Sequence, residues 1–237
     1  MKRFTVILSI TVSVAFAGLL GYIYWLEYGL WSIAVCAAML LGLPFCSFMH
    51  EAGHMLFGAV CKLKARPHFS VFGSSSCKIV PKTDKNLRRR LCFTVCGGLI
   101  VNLLFCIVGI VALDVKGCPV WLSLFIPASV YLLIMNAMPV KFSSGNTDGL
   151  TVLELLQLSP EAEVLLSVLT VQAQVLNGKP IEEIEEKLLF GVPQIAEDEE
   201  AFIALTELRY EYFKAKGEIE KSEAYRSRFE ELKKEYL

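Results

Sequence analysis

Acidic residues are scarce in the first 149 residues of this chain, which hold five of them against 13 lysines and arginines. Residues 150–237 reverse the balance with 19 acidic and 10 basic residues, so the overall net charge of −1 is the sum of +8 in the first part and −9 in the second. The acidic half would repel phosphate and the basic half is mostly apolar, which argues against nucleic acid as a partner. Length and a hydrophobic content of 54% exclude a small secreted scaffold held by disulfides.

The first half contains four apolar stretches that are long enough to cross the hydrocarbon core of a membrane as a helix, which takes about 20 residues. They run from Phe4 to Leu26, from about Trp31 to Cys61, from Leu91 to Leu113 and from Pro119 to about Met138. The loop at about 62–90 carries nine basic residues and one acid, so the positive-inside bias places it and both termini in the cytoplasm. The sequence predicts an α-helical, multi-pass protein of the cell membrane.

The first stretch also has features of a signal peptide, because Lys2 and Arg3 precede its apolar core and Ala15-Phe16-Ala17 offers small residues for cleavage. Its apolar run continues to Leu26, however, and ends in aromatic residues of the kind found at membrane interfaces. This continuation favours an uncleaved N-terminal span over residues 1–28.

Histidine is rare, and two of the three in the chain lie in the second stretch as His50-Glu51-Ala52-Gly53-His54. On a helix, residues four apart lie on one face about 40° from each other, so both imidazoles can bind one Zn²⁺. Glu51 is then placed to act as a general base. Ionisable groups within a bilayer are costly unless they are paired or bound, which indicates function. The alternative is a structural hydrogen-bond role between packed helices.

A catalytic zinc ion needs a third protein ligand. Asp148 follows the fourth stretch on the cytoplasmic side, at the depth of the histidines. Glu27 and Asp114 belong to the opposite membrane face, and Asp84 lies among lysines in the loop. Elimination therefore favours Asp148, with His68 in the loop as the alternative.

The histidine motif and the later Asp148-Gly149 together resemble the site-2 protease family of intramembrane zinc metalloproteases. Gly97-Gly98-Leu99-Ile100-Val101-Asn102 and Asn136-Ala137-Met138-Pro139 are similar to two further motifs of that family. The resemblance covers about residues 30–155. Two features depart from the family pattern: Asn136 and Pro139 are not adjacent, and residues 141–147 are more polar than usual.

This resemblance implies a three-helix protease core within residues 29–158 and one zinc ion bound by His50, His54 and Asp148. It implies that Glu51 is the general base and acid, and that Asn102 and Asn136 position the substrate backbone or the developing oxyanion. For both asparagines, interhelical hydrogen bonding is the alternative. The implied activity is hydrolysis of peptide bonds in or near transmembrane segments of a protein or peptide substrate, in regulated proteolysis or in clearance of remnants.

Two other functions remain open. Zinc membrane proteases of another type take a glutamate from a later helix as third ligand, and the predicted spans after Glu51 contain none. A non-catalytic membrane adaptor would instead hold a partner through the acidic half.

Residues 67–80 are typical of a β-hairpin, with apolar strands at Pro67–Gly73 and Cys77–Val80 around a serine turn. This membrane-associated hairpin would pair with an unwound substrate by strand addition. The alternative is an interfacial loop held at anionic headgroups by its lysines.

Residues 159–237 are predicted to form a cytoplasmic, all-α domain of two helical hairpins, about 161–190 and 197–236, with a faint likeness to tetratricopeptide pairs. Leu150 to Leu158 would continue from Asp148 as an amphipathic helix. The domain is either a solvated helical cap or a surface for a cytoplasmic protein partner.

Overall fold

A computed structural model describes residues 2–68, 76–114, 125–142 and 145–236 of the chain. The described residues are mostly helical, as predicted. They form two compact units, which are described separately below. The first unit comprises Met1–Ala59, Ala65–Lys78 and Phe93–Leu153, and the second comprises Val60–Lys64, Ile79–Cys92 and Glu154–Leu237.

Helices occupy all four predicted apolar stretches. They are α1 (Lys2–Tyr28), α2 (Ser32–Val60), α3 (Leu87–Asp114) and α4 (Phe125–Ala137), with a 3₁₀ turn at Gly29–Trp31 between the first two. Part of the fourth stretch, residues 119–124, lies outside the described residues.

Among the described residues, one helical segment, Leu87–Val111, is long and apolar enough to cross a membrane, with a mean hydropathy of 2.5. The apolar segments Thr11–Ile23 and Phe125–Ala137 are shorter. The predicted helices are therefore confirmed, whereas four membrane spans are not supported by the described residues and stay a prediction.

Helices α2 and α3 touch through their backbones at a pair of glycines. A Cβ atom built on Gly53 would lie 2.5 Å from the carbonyl oxygen of Gly97, and one built on Gly97 would lie 2.6 Å from the carbonyl oxygen of Gly53. Real Cβ atoms do not approach that closely, so only glycine fits at either position. This contact brings the histidine face of α2 against α3.

A two-stranded sheet follows α2, formed by β1 (Leu63–His68) and β2 (Ser76–Pro81). The predicted hairpin is thus present, but its first strand begins earlier than predicted, at Leu63. The predicted strand residues Phe69–Phe72 and the turn before Ser76 lie outside the described residues.

A second, very short hairpin leads from α4 to the next helix, α5 (Asp148–Gln157). Its strands β3 (Lys141–Phe142) and β4 (Gly145–Asn146) pair antiparallel, with Lys141 opposite Asn146. The described residues of the polar segment 141–147 therefore form two paired strands shortly before Asp148. Helix α5 confirms the helix predicted to continue from that aspartate.

The second unit contains the remaining helices. They are α6 (Pro160–Leu176), α7 (Glu186–Phe190), α8 (Glu200–Ala215) and α9 (Ile219–Tyr236), with a 3₁₀ turn at Ile181–Glu183. The hairpin predicted at 197–236 is confirmed as α8 and α9, which are joined at Gly217 with a φ of +74°. The hairpin predicted at 161–190 is only partly right, because its second arm is the 3₁₀ turn and the short α7.

The core of this second unit is built from one face of α6 and one face of α8. Val164, Val168 and Val171 are buried on α6, at the three- and four-residue spacing of a helix face. They pack in one cluster with Leu205 and Tyr212 of α8. Helix α6 begins at a standard cap, where the Ser159 side chain accepts a hydrogen bond from the backbone of Ala162 at 3.3 Å.

Candidate metal centre

Three side chains from two helices converge on one point in the first unit. His50 and His54 lie one turn apart on α2, and Asp148 is the first residue of α5. The Nε2 atoms of the histidines are 3.2 Å apart. Asp148 Oδ2 is 3.1 Å from His50 Nε2 and 3.4 Å from His54 Nε2. The three predicted ligands therefore meet, although 94 residues separate His54 from Asp148 in the sequence.

The spacing of these three atoms fits a tetrahedral zinc ion. Ligand atoms about 2.0–2.1 Å from zinc at tetrahedral angles are about 3.3–3.4 Å from each other. The three distances between the ligand atoms lie between 3.1 and 3.4 Å. Two imidazole nitrogens and one carboxylate oxygen also form a donor set that zinc accepts, leaving the fourth position open.

Unsatisfied buried acceptors concentrate at the same place. Within the described residues, only three buried side-chain oxygen or nitrogen atoms lack a hydrogen-bond partner: Glu51 Oε2, Asn102 Oδ1 and Asp148 Oδ2. Buried polar atoms are almost always partnered, so three such oxygens in one site need an explanation. A bound cation with its water would satisfy the two carboxylates.

The far nitrogen of each imidazole faces a group on α3. His54 Nδ1 lies 3.0 Å from the carbonyl oxygen of Thr94, to which it can donate. His50 Nδ1 lies 3.0 Å from the side-chain amide of Asn102, which is fully buried. Partners of this kind fix the tautomer and ring orientation of metal-binding histidines. Asn102 is thus bonded to a predicted ligand, as the interhelical alternative expected.

Gly98 leaves the space that the two imidazoles need. A Cβ atom built on it would lie 2.5 Å from His50 Cε1, 2.6 Å from His50 Nε2 and 2.6 Å from His54 Nε2. Any side chain at this position would overlap the rings. The two glycines of the α3 motif therefore have separate roles, since Gly97 admits the backbone of α2 and Gly98 admits its histidines.

The Thr147 hydroxyl fixes the start of α5 and with it Asp148. Thr147 is 5% exposed, and its Oγ1 accepts a hydrogen bond from the backbone of Leu150 at 3.3 Å, as an N-cap does. The same hydroxyl donates to the carbonyl oxygen of Met138, just beyond α4. One side chain therefore joins the end of α4 to the helix that carries Asp148, the predicted third ligand.

The charge of Asp148 is favoured by its surroundings. Burial disfavours the ionised carboxylate, but the imidazoles of His50 and His54 outweigh it and hold the pKa of Asp148 below its usual value. An ionised carboxylate is the form that binds a metal.

Glu51 is buried beside the cluster, with 6% of its surface exposed, and it interacts electrostatically with both histidines and with Asp148. A carboxylate there is placed to exchange protons with a water molecule at the open position.

Asn136 and His68 are the two other residues that were predicted as candidates for the site. The side-chain nitrogen of Asn136 donates to the carbonyl oxygen of Leu132 at 3.0 Å, within its own helix. Its substrate-positioning role stays a prediction. His68, the alternative third ligand, ends strand β1, and its side chain lies outside the described residues.

Three residues of the site were not predicted from the sequence: Thr94, Gly98 and Thr147. Thr94 faces His54 with its backbone oxygen, a group that every residue type has. Gly98 belongs to the motif at residues 97–102, but the sequence alone indicated no separate role for it. The position of Thr147 directly before a helix is typical of an N-cap, and that pattern could have identified it.

Comparison of the chain with family models, with curated proteins and with solved structures finds no match.

Proposed function

We propose that this chain is a zinc-dependent endopeptidase that hydrolyses peptide bonds in or near transmembrane segments of membrane proteins. One observation carries the proposal: His50 Nε2, His54 Nε2 and Asp148 Oδ2 lie 3.1–3.4 Å from each other, the spacing of three ligands around a tetrahedral zinc ion. The buried Glu51 beside them supplies the acid and base that peptide hydrolysis requires.

In this proposal His50, His54 and Asp148 hold the metal and Glu51 moves the protons. A bound zinc ion would lower the pKa of water and polarise the peptide carbonyl. Glu51 takes a proton from the attacking water and later gives it to the leaving amine. Asn102 and Thr94 keep the two imidazoles oriented, so that both Nε2 atoms face the same point.

We place the reaction in a cell membrane with four helical spans and cytoplasmic termini. The support is the apolar composition of all four helices and the basic loop between α2 and α3. Large apolar side chains also face outward on α3, where Val108, Ile110 and Val111 are 60–63% exposed. Lipid would cover such a surface, whereas water would leave it unfavourably exposed.

The substrate must be extended before its peptide bond is accessible, because a helical carbonyl is already hydrogen-bonded along the helix. The sheet of β1 and β2 follows the motif helix directly in the chain. We propose that an edge of this sheet binds the unwound substrate as an additional strand.

Metal analysis of the detergent-purified chain tests the ligand assignment. We expect about one zinc ion per wild-type chain, loss of zinc in Asp148→Ala, and retention in Glu51→Gln, which keeps all three ligands. Asp84→Ala is the matched control, since it removes an exposed carboxylate of the loop. Near-stoichiometric zinc in Asp148→Ala would contradict the assignment.

Proteolysis is tested separately with Glu51→Gln, whose metal site stays loaded. Quantitative proteomics of cells that carry this variant should find uncut membrane proteins that wild-type cells process. A Glu51→Gln chain that fully replaces the wild type, with no substrate accumulating, would instead favour the non-catalytic adaptor.

A further inference from the structure

Five exposed cationic side chains in the second unit have no ion-pair partner in the part of the chain that the structure describes. They flank the base of the first hairpin and are called the basic patch below: Lys62, Lys64, Lys82, Lys85 and Arg89. Exposed cations are usually solvated or paired locally. These five can form a binding site only if the fold holds them close together.

Arg90 brings the two segments of the basic patch together. Its guanidinium donates to the carbonyl oxygen of Lys62 at 2.9 Å, on the segment that follows α2. The same group donates to Thr83 at 2.9 Å and to Lys85 at 3.0 Å, on the segment before α3. The backbones of Lys62 and Lys85 are therefore both anchored to one side chain, although 23 residues separate them in the sequence.

Helix α6 holds the same loop from another direction. The Asn177 side chain donates to the carbonyl oxygen of Lys82 at 3.1 Å. The Gln174 side chain donates to Asp84 at 3.4 Å, which engages the only acidic residue between Lys62 and Arg90. The cations of the basic patch are thus presented from a fixed backbone, and Asp84 is the one carboxylate among the five of them, so the patch keeps a clear excess of positive charge.

A shortage of carboxylates does not explain the missing partners. Several cations of the acidic helices are paired locally, as in Lys221–Glu218 at 2.6 Å and Arg226–Glu223 at 3.5 Å. None of the ion pairs described in the second unit involves a cation of the basic patch.

We propose that the basic patch binds the phosphate groups of anionic phospholipids. The apolar part of α3 begins at Leu91, immediately after Arg88, Arg89 and Arg90, so these cations stand where a hydrocarbon-spanning helix would end. Lipid phosphates lie at that depth, and basic residues at the cytoplasmic end of a span attract them. A nucleic acid fits less well, because the acidic helices of the same unit would repel it.

The inference rests on the membrane location in the proposed function and does not involve the zinc chemistry. It is tested with the full-length chain purified from membranes that contain equal amounts of phosphatidylcholine and phosphatidylglycerol. Native mass spectrometry then counts the lipids of each kind that stay bound. We expect the wild type to retain phosphatidylglycerol in clear preference.

The patch variant replaces all five cations with glutamine and leaves Arg88 and Arg90 in place. Its preference for phosphatidylglycerol should fall roughly tenfold or more, since each cation near the surface contributes to attraction. The matched control replaces five exposed cations of the acidic helices, Lys214, Lys221, Arg226, Lys233 and Lys234, and should keep the preference. Equal preference in the patch variant and the wild type would overturn the inference.

Salt dependence of the wild type supplies a second measurement that needs no variant. Raising the salt concentration from about 0.1 M to about 1 M shortens the screening length from about 10 Å to about 3 Å, so the preference should disappear. A preference that survives high salt, or retention of a short DNA duplex in place of lipid, would overturn the assignment. Either result leaves the zinc measurement unaffected. A chain that does not fractionate with membranes would overturn the inference together with the membrane location.

Discussion

The side-chain amide of Asn102 on α3 lies 3.0 Å from Nδ1 of His50 on α2, and its oxygen has no hydrogen-bond partner. A histidine that binds metal through Nε2 carries its proton on Nδ1, so that nitrogen must donate. Rotation of the amide by 180° would bring the unpartnered oxygen to His50 Nδ1, where it could accept the proton of that nitrogen. In that orientation Asn102 would hold the His50 ring in the tautomer that metal binding through Nε2 requires.

Replacement of Asn102 by leucine should weaken zinc binding about 10- to 100-fold, the usual effect of losing a partner of a metal-bound histidine. Competition with a chelator of known affinity measures the change. Asn136→Leu is the matched control, because that amide bonds to Leu132 in its own helix. Equal zinc affinity in both variants would show that the bond to His50 does not orient the ligand.

Replacement of Gly98 by alanine should abolish zinc binding, because the added methyl group would lie 2.5–2.6 Å from the imidazole atoms of His50 and His54. Zinc content and circular dichroism are measured together, and we expect the helical signal to change little. Gly21→Ala on α1 is the control, since nothing lies within 4 Å of the added atom. That variant should keep its zinc, whereas a zinc-loaded Gly98→Ala would contradict the close approach of α3 to the histidines.

The sequence was sufficient to predict the helices and the three side chains that converge, for different reasons. The long apolar segment predicts helix α2. His50 and His54 share a face of that helix because they are four residues apart. Asp148 followed by elimination, since so few acids occur in the first half. The contact between Gly53 and Gly97 could not be predicted, because crossing of two helices depends on tertiary packing that no local pattern contains.

The exact bounds of strands and helices were harder to predict than their presence. The first strand begins at Leu63 in place of Pro67, because the alternation of apolar residues does not mark where pairing starts. The second arm of the first helical pair is a 3₁₀ turn and the five-residue α7, although its apolar residues have helical spacing. Pro180 directly precedes that 3₁₀ turn. Helix boundaries depend on caps and turns more than on the periodicity of apolar residues.

Acid should weaken the packing of α7 against α8 through Glu186. Hydrogen bonds from Lys216 and from Tyr212 to this carboxylate hold the pKa of Glu186 below its usual value of about 4.5. A lowered pKa in the folded state stabilises the fold above the unfolded pKa, and this contribution is lost as the pH falls through the folded value. Thermal unfolding of the full chain between about pH 7 and pH 3 measures it, and the loss should occur below about pH 4.5.

Replacement of Glu186 by glutamine should remove this part of the acid dependence. At neutral pH the variant should melt below the wild type, and the two should converge as the pH falls. Glu207→Gln on α8 is the control, because it removes an exposed carboxylate that has no side-chain partner in the described residues. A constant difference between Glu186→Gln and the wild type across the pH range would exclude the charge of Glu186 as the cause.

Replacement of Thr147 by valine should lower zinc affinity without removing any ligand. The valine keeps the shape but loses the hydroxyl that caps α5 at Leu150 and bonds to Met138, so Asp148 is no longer held in one position. Loss of an N-cap costs about 0.5–2 kcal/mol. We expect zinc affinity to fall roughly tenfold, the lower end of the effect of removing an outer partner of a metal site.

Thr147→Ser separates this positioning effect from general damage, because serine keeps the hydroxyl and caps helices well. The serine variant should bind zinc as the wild type does. Visible absorption of the cobalt-substituted protein gives a second readout, since the spectrum reports the geometry of the ligands around the metal. It should change in Thr147→Val and return in Thr147→Ser. A valine variant with wild-type affinity and spectrum would show that Asp148 is held by the backbone of α5 alone.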